Sequence, residues 1–151
     1  NPNSELRVVH NQRINESNDS ASKNATIIIV NKENKILLLK RADVPEIWMP
    51  NKWALIGGSI NKNETPLKAV KREVMEETGL DINNILKSFT IEKNDVVEHL
   101  FACQYEGDDI DVKLNFEHTK YGWYSINEID YLDTVPLLME YLKITFKSYD
   151  E

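Results

Sequence analysis

The first apolar segments of the chain are short, rich in β-branched and aliphatic residues, and separated by polar turns. Residues 25–30 (ATIIIV) and 36–40 (ILLLK) are joined by a five-residue loop, NKENK, which predicts a β-hairpin. A further short strand is predicted at 53–56 (WALI), and it ends at Gly57 and Gly58. Four later segments have the same character and are predicted as strands: 87–91, 96–105, 110–114 and 121–124.

A helix is predicted at residues 66–78, between two sets of end signals. Thr65 is a good N-cap, Pro66 suits the first helical position, and Gly79 suits the position just after the last. At about 100° per residue, four residues fall on one stripe and are expected to face the core. They are Leu67, Val70, Val74 and Thr78.

The two ends of the chain differ in character. Near the C-terminal end, Ser125 and Glu128 have capping-box spacing and predict a helix start. A final amphipathic helix is predicted at about 136–146. Residues 1–24 are polar, with only 6–9 (LRVV) suited to a short strand, so most of this arm is expected to be loosely ordered.

Length and charge narrow the class of protein. At 151 residues the chain suits one domain, and its order of strands, helix, strands and helices predicts an α/β fold with a mixed sheet over 25–151. The net charge of -7 disfavours duplex nucleic acid as a partner, and no apolar run is long enough to span a membrane. Cys103 is the only cysteine, which excludes an internal disulfide and fits a reducing cytoplasm. The sequence leaves open whether the protein forms a homodimer.

Three carboxylates crowd one face of the predicted helix. Glu73, Glu76 and Glu77 lie at i, i+3 and i+4, where like charges repel. Glu77 lies close to Val70 around the helix, so it is expected to be partly buried, and Ala69 leaves room for something to approach. Such a carboxylate beside two others needs a cation or a proton. An all-oxygen site of this kind is what hard divalent cations prefer.

Residues 58–80, GSINKNETPLKAVKREVMEETGL, resemble the Nudix box without departure. The resemblance implies the α/β/α sandwich of that family, with a mixed β-sheet, over about residues 25–148. It also implies hydrolysis of a nucleoside diphosphate linked to another moiety, with Mg2+ or Mn2+ as cofactor. The substrate would then be a small-molecule nucleotide.

The resemblance also implies roles for individual residues. The implied metal ligands are Gly58, Glu73, Glu76, Glu77 and Glu117. The general base is left open between Glu73 and Glu117, which lies six residues before Trp123, as does the loop glutamate of some family members. A solvated loop charge stays the alternative for Glu117. Arg72, one turn before Glu76, is expected to orient the carboxylates.

Four residues are candidates for substrate binding. Arg41, at a strand end, is expected to contact phosphate, with an ordinary surface arginine as the alternative. Trp48, in a loop flanked by prolines, is expected to contact an aromatic ligand, with a cover for the core edge as the alternative. Gly57 and Gly58 let the backbone pass close to phosphates. Trp53 is expected to belong to the core.

The choice of substrate rests on elimination. No proline lies between Leu80 and Val135, and the first tyrosine after the box is Tyr105, so the features typical of ADP-ribose and diadenosine-polyphosphate hydrolases are absent. We therefore expect a nucleoside triphosphate, oxidised or not. Dinucleoside polyphosphates, nucleotide sugars and capped RNA stay open, as does a ligand sensor without turnover. Neither His99 nor His118 has partners for a zinc site.

Overall fold

The computed structural model describes residues 6–11 and 24–146, which form eight strands and three helices. The strands are β1 (Arg7–His10), β2 (Asn24–Val30), β3 (Ile36–Arg41), β4 (Trp53–Ala54), β5 (Ile56–Ser59), β6 (Ile85–Lys93), β7 (Val96–Gln104) and β8 (His118–Tyr124). The helices are α1 (Pro66–Thr78), α2 (Ile126–Ile129) and α3 (Leu138–Thr145). None of these helices is long and apolar enough to cross a membrane.

The strands form one mixed sheet in which β2 is central. The order is β1-β6-β7-β2-β3-β4, with β5 paired to β2 and β8 paired to β3. Strand β2 runs parallel to β7 and antiparallel to β5. Strands β2 and β3 pair at Val30 and Ile36, beside the hairpin turn. Over residues 24–27, β2 pairs with β5 instead, so β2 and β3 diverge away from the turn. A cavity opens where they diverge.

Alternating residues of β2 enter two separate cores, one on each face of the sheet. Ile27 and Ile29 pack with α1, whereas Ile28 packs with α3, and all three are fully buried. The helices contribute Leu67, Val70 and Val74 from α1, and Leu138 and Leu142 from α3. Helices on both faces of a mixed sheet make an α/β/α sandwich, so the predicted fold class is confirmed.

The predicted strand at 110–114 is wrong. The Asp108 carboxylate accepts the N–H of Ile110, and the Asp111 carboxylate accepts the N–H of Asp108 and the hydroxyl of Tyr105. These local bonds between side chains and backbone replace a strand ladder. The segment is therefore a turn and an extended loop that leads towards β8.

Other element boundaries also differ from the prediction, and both β6 and β8 are longer than the strands predicted at 87–91 and 121–124. The segment 53–56 belongs to two strands, β4 and β5, and Gly57 and Gly58 lie inside β5 rather than after a strand. Helix α3 begins two residues later than predicted, because Leu137 has a φ of 73°, in the left-handed region. The capping box at Ser125 is confirmed, at the start of the one-turn helix α2.

Part of the predicted N-terminal arm belongs to the sheet. Strand β1, Arg7–His10, pairs antiparallel with β6 at the sheet edge, one residue later than the predicted strand at 6–9. The rest of the arm, residues 1–5 and 12–23, lies outside the described residues.

Candidate active site

Helix α1 begins and ends at the residues predicted for it. The Thr65 hydroxyl accepts the N–H of Lys68 at 3.2 Å, and Gly79 follows the last turn with a φ of 73° and donates its N–H to Met75 O. All four residues of the predicted core stripe are buried: Leu67, Val70, Val74 and Thr78. With that stripe fixed against the sheet, the acidic face of the helix is fixed too.

The guanidinium of Arg72 lies at the centre of this acidic face. Its Nε and Nη2 donate to the two oxygens of Glu64 at 2.8 and 3.0 Å, and Nη2 also donates to Ser59 O at 3.0 Å. Its Nη1 donates to Glu73 Oε2 at 3.2 Å and to Glu76 Oε1 at 3.1 Å. The bond from Arg72 holds the pKa of Glu64 below its usual range. One planar group thus links three carboxylates to the backbone of β5.

Gly58 lies directly against Glu73. A Cβ built on Gly58 would lie 2.2 Å from Oε2 of Glu73, so any side chain there would displace the carboxylate. A Cβ on the neighbouring Gly57 would lie 2.4 Å from Ala25 O, because β5 pairs closely with β2 at this position. The glycine pair therefore lets the helix approach β5 and lets β5 approach β2.

Glu77 is the buried member of the acidic face, with 5% of its surface exposed. Burial raises its pKa to about 9, with further contributions from a hydrogen bond and the charge of Glu73 and from the charge of Glu117. The charge of Arg41 opposes this shift. Burial beside other carboxylates therefore favours the protonated form of Glu77.

His118 is a neighbour of Glu77 that the sequence did not reveal. Its Nε2 lies 3.9 Å from Glu77 Oε1, and the imidazole is buried. Burial, and then the charge of Arg41, lowers the pKa of His118 to about 4. Both shifts favour the neutral forms of His118 and Glu77, which disfavours a salt bridge between them.

Glu117 is brought to this cluster by the chain just before β8. Its backbone carbonyl accepts the N–H of Ala42 at 2.8 Å, which joins the loop to the end of β3. The Asn115 amide contacts its side chain at 3.4 Å, and the Glu117 charge acts on Glu77. The fold thus brings Glu117 close to the residues of the box, although they are distant in sequence. The catalytic role of Glu117 stays a prediction.

The donor set of this cluster suits a divalent cation. Within the described ranges, no group of three or more His, Cys, Asp and Glu side chains is already arranged to hold a metal ion, and Arg72 engages both Glu73 and Glu76. The donors are nevertheless all oxygens, and burial beside other carboxylates favours the protonated form of Glu77. A cation in place of that proton would remove the same repulsion, so the residues fit a hard metal.

All four residues predicted to bind substrate line one cavity of about 640 Å³: Arg41, Trp48, Gly57 and Gly58. Trp48 is 59% exposed, so it does not cover the core. The Arg41 guanidinium lies 5.6 Å from the Trp48 ring centroid, and its Nε donates to Trp48 O. The carboxylates of α1 do not line the cavity, but they lie beside it, since Glu73 contacts Gly58.

Glu98 is a cavity residue that the sequence analysis missed. It lies on β7 between Val97 and His99 and accepts a hydrogen bond from the Thr26 hydroxyl at 2.8 Å. The available signal was an acidic residue in a mostly apolar strand. Trp53 packs against the core and meets the ring of Tyr124 edge-on at 5.3 Å, as expected.

Comparison with known proteins identifies the family. The model of the NUDIX domain matches residues 21–142. The chain therefore belongs to the Nudix family, whose hydrolases act on phosphoanhydride bonds. The match contains the carboxylates of α1 and all the candidate residues described above.

Individual relatives are distant. The chain is 29% identical over 124 residues to the dihydroneopterin triphosphate diphosphatase of Haemophilus influenzae, which covers 81% of this chain and 71% of that protein. It is also 29% identical over 121 residues to the ADP-ribose pyrophosphatase of Methanocaldococcus jannaschii, covering 76% of this chain and 70% of that protein. A more local match, 42% identical over 55 residues, spans 33% of a Bacillus subtilis relative.

A solved structure shares the architecture. The MutT protein from Methanosarcina mazei Go1 superposes with a TM-score of 0.61 and 29% sequence identity. The superposition covers 84% of this chain and 91% of that one. The sandwich is thus a known fold.

Proposed function

We propose that the protein is a metal-dependent pyrophosphohydrolase that cleaves a nucleoside diphosphate linked to another moiety, with a nucleoside triphosphate or oxidised nucleotide as its substrate. One observation carries the proposal. The cavity of Arg41 and Trp48 reaches Gly58, which lies directly against the carboxylate of Glu73. A ligand with its base in the cavity would therefore present its phosphates to the acidic face of α1.

The cation would be Mg2+ or Mn2+, held by carboxylates of Glu73, Glu76, Glu77 and Glu117 with the backbone of Gly58. When bound, such a cation neutralises phosphate charge and lowers the pKa of a water ligand. The raised pKa of Glu77 supports this assignment, because burial and the nearby carboxylates disfavour an uncompensated negative charge at that position.

The chain's own residues would supply orientation and proton transfer. Arg72 fixes the carboxylates of Glu64, Glu73 and Glu76 through direct hydrogen bonds, so that they do not rearrange during the reaction. Glu73 or Glu117 would take the proton of the attacking water. Arg41, which lines the cavity and whose charge reaches Glu77, would contact the phosphates.

Other substrates of the same reaction remain alternatives: dinucleoside polyphosphates, nucleotide sugars and capped RNA. The ADP-ribose pyrophosphatase among the relatives supports the nucleotide sugars, whereas the dihydroneopterin triphosphate diphosphatase supports a triphosphate. A sensor that binds without turnover is the less favoured alternative, because the acidic face is complete.

We also propose the cytoplasm as the compartment, because the single thiol, Cys103, is buried and free.

A nucleotide panel tests the proposal. Purified protein with Mg2+ or Mn2+ should release pyrophosphate, phosphate or nucleoside monophosphate from at least one triphosphate, dinucleotide, nucleotide sugar or capped RNA. Glu77→Gln serves as the control for contaminating hydrolases, since it should lose most of that activity. Binding without turnover across the whole panel would replace the enzyme by the sensor.

A further inference from the structure

The cavity is lined by an acidic side chain, Glu98, which lies two strands away from β5. Glu98 lines it from β7, on the same strand face as Val96 and the core residue Leu100. Burial raises the pKa of Glu98 to about 7. A carboxylate on the apolar face of a strand destabilises the fold unless its oxygens are hydrogen-bonded. The position of Glu98 therefore indicates a role other than packing.

Within residues 6–11 and 24–146, two hydroxyls bond to Glu98. The Thr26 hydroxyl donates to Oε2 at 2.8 Å, and the hydroxyl of Tyr141, from α3, also bonds to the carboxylate. Both bonds favour the ionised form, and together they fix the carboxylate from β2 and from α3. An ionised carboxylate has about four acceptor sites. Two hydroxyls use two of these sites, and Glu98 lines the cavity, so further donors from a ligand could bond to the carboxylate there.

The ladder of the sheet sets the distance between Glu98 and the phosphate end. Glu98 is opposite Asn24 on β2, and Asn24 is opposite Ser59 on β5, next to Gly58. Strands lie about 4.8 Å apart, so the backbones of β7 and β5 are separated by about 10 Å. That separation suits a nucleoside, with its sugar phosphate near Gly58 and its base near Glu98.

We propose that Glu98 determines base specificity by accepting two adjacent N–H donors from a 2-amino-4-oxopyrimidine ring, the edge that guanine and pterin rings share. The inference rests on the proposed function for the position of the phosphates. In guanine, N1–H and the 2-amino group are neighbouring donors that match two acceptor sites of the carboxylate. Adenine would place the lone pair of its N1 against a carboxylate oxygen, which is repulsive. Trp48, exposed at the same cavity, would contact the flat ring.

The test compares dGTP with dATP as substrates of wild-type protein and of Glu98→Gln. The amide keeps an acceptor for Thr26 and places one donor and one acceptor towards the base, which matches N1 and the 6-amino group of adenine. The wild type should prefer dGTP, and Glu98→Gln should lower the ratio of kcat/KM for dGTP over dATP by about tenfold or more. Glu92→Gln, the same change on the neighbouring strand at an exposed pair with Arg7, should leave the ratio unchanged.

Equilibrium binding of dGMP and dAMP in EDTA separates this inference from the proposed hydrolysis. A wild-type preference for dGMP that Glu98→Gln removes would support the inference even if no nucleotide were cleaved. Equal binding of both nucleotides by the wild type, or an unchanged preference in Glu98→Gln, would overturn it. Thr26→Val provides a second variant that removes one hydroxyl donor while keeping the side-chain shape. It should weaken the dGMP preference in the same direction, and an unchanged preference there would contradict the positioning of Glu98.

Discussion

Gly58 and Glu73 are in such close contact that a β-carbon on the glycine would lie 2.2 Å from the glutamate Oε2. We predict that Gly58→Ala pushes the carboxylate aside and lowers kcat by about tenfold or more, since misplaced catalytic groups lose much of their effect. Gly107→Ala is the matched control, because its Cβ would collide with the side chain of Tyr105, away from the site. The check is steady-state kinetics with melting curves for both variants. Wild-type kcat in a folded Gly58→Ala protein would contradict the prediction.

Replacement of Arg72 by lysine should destabilise the fold. Lysine cannot bond both oxygens of Glu64 while also reaching Glu73, so Arg72→Lys should lower the free energy of unfolding by about 1.5–3 kcal/mol. Arg7→Lys, at the exposed pair with Glu92, should change it by less than about 1 kcal/mol. Urea denaturation of both variants measures the difference. Equal losses would show that the bonds of Arg72 do not stabilise the fold.

Glu73 and Glu117 are the two candidates for the general base. Loss of a base lowers kcat by about 10²–10⁴, so Glu73→Gln and Glu117→Gln should differ clearly when assayed at saturating Mg2+. Glu76→Gln should instead raise the metal concentration needed for activity. If Glu117→Gln keeps the wild-type kcat, Glu117 has no part in proton transfer and Glu73 remains the candidate.

Divalent cations should stabilise the fold. At a hundredfold excess over Kd, binding to the folded state adds about 2.7 kcal/mol, which corresponds to a Tm increase of roughly 5–10 °C for a domain of this size. Mn2+ should therefore raise Tm in a thermal melt, NaCl of equal ionic strength should do less, and Glu77→Gln should lose most of the increase. Equal Tm values in EDTA and in saturating Mn2+ would rule out the metal site.

The pKa of Glu98 gives stability a specific pH dependence. The folded protein binds this proton more tightly than the unfolded chain, because burial raises the pKa from its ordinary 4.5 to about 7. The free energy of unfolding should therefore fall as pH rises from about 4.5 to about 7. Glu98→Gln removes this contribution, so the wild type should lose about 1–3 kcal/mol more than the variant between pH 5 and pH 8. Urea denaturation at both values measures it, and equal losses would contradict the raised pKa.

Local signals in the sequence predicted the elements whose formation depends on local contacts. The end signals at Thr65 and Gly79 gave both boundaries of α1, and the capping box at Ser125 marked α2. The acidic face also followed from helical spacing. The start of α3 was predicted two residues too early, because Leu137 has a left-handed backbone conformation that leucine rarely adopts.

Features that depend on contacts between distant residues were missed. The neighbours His118 and Glu77 come from β8 and α1, and the pair Thr26 and Glu98 from β2 and β7. No periodicity within a window of the chain contains such pairings. The resemblance to the Nudix family predicted that Glu117 lies near the box, but only because the fold of that family is already known.

The parallel pairing of β2 with β7 has a consequence for how the protein is made. Asn24 and Glu98 are partners across this pairing, so most of the domain must leave the ribosome before the two can meet. Closing so long a loop is slow compared with forming a hairpin or a helix. Strand β2 pairs with both β5 and β7, which line the cavity from its two sides. Ligand binding should therefore recover later during refolding than the circular-dichroism signal of helix α1.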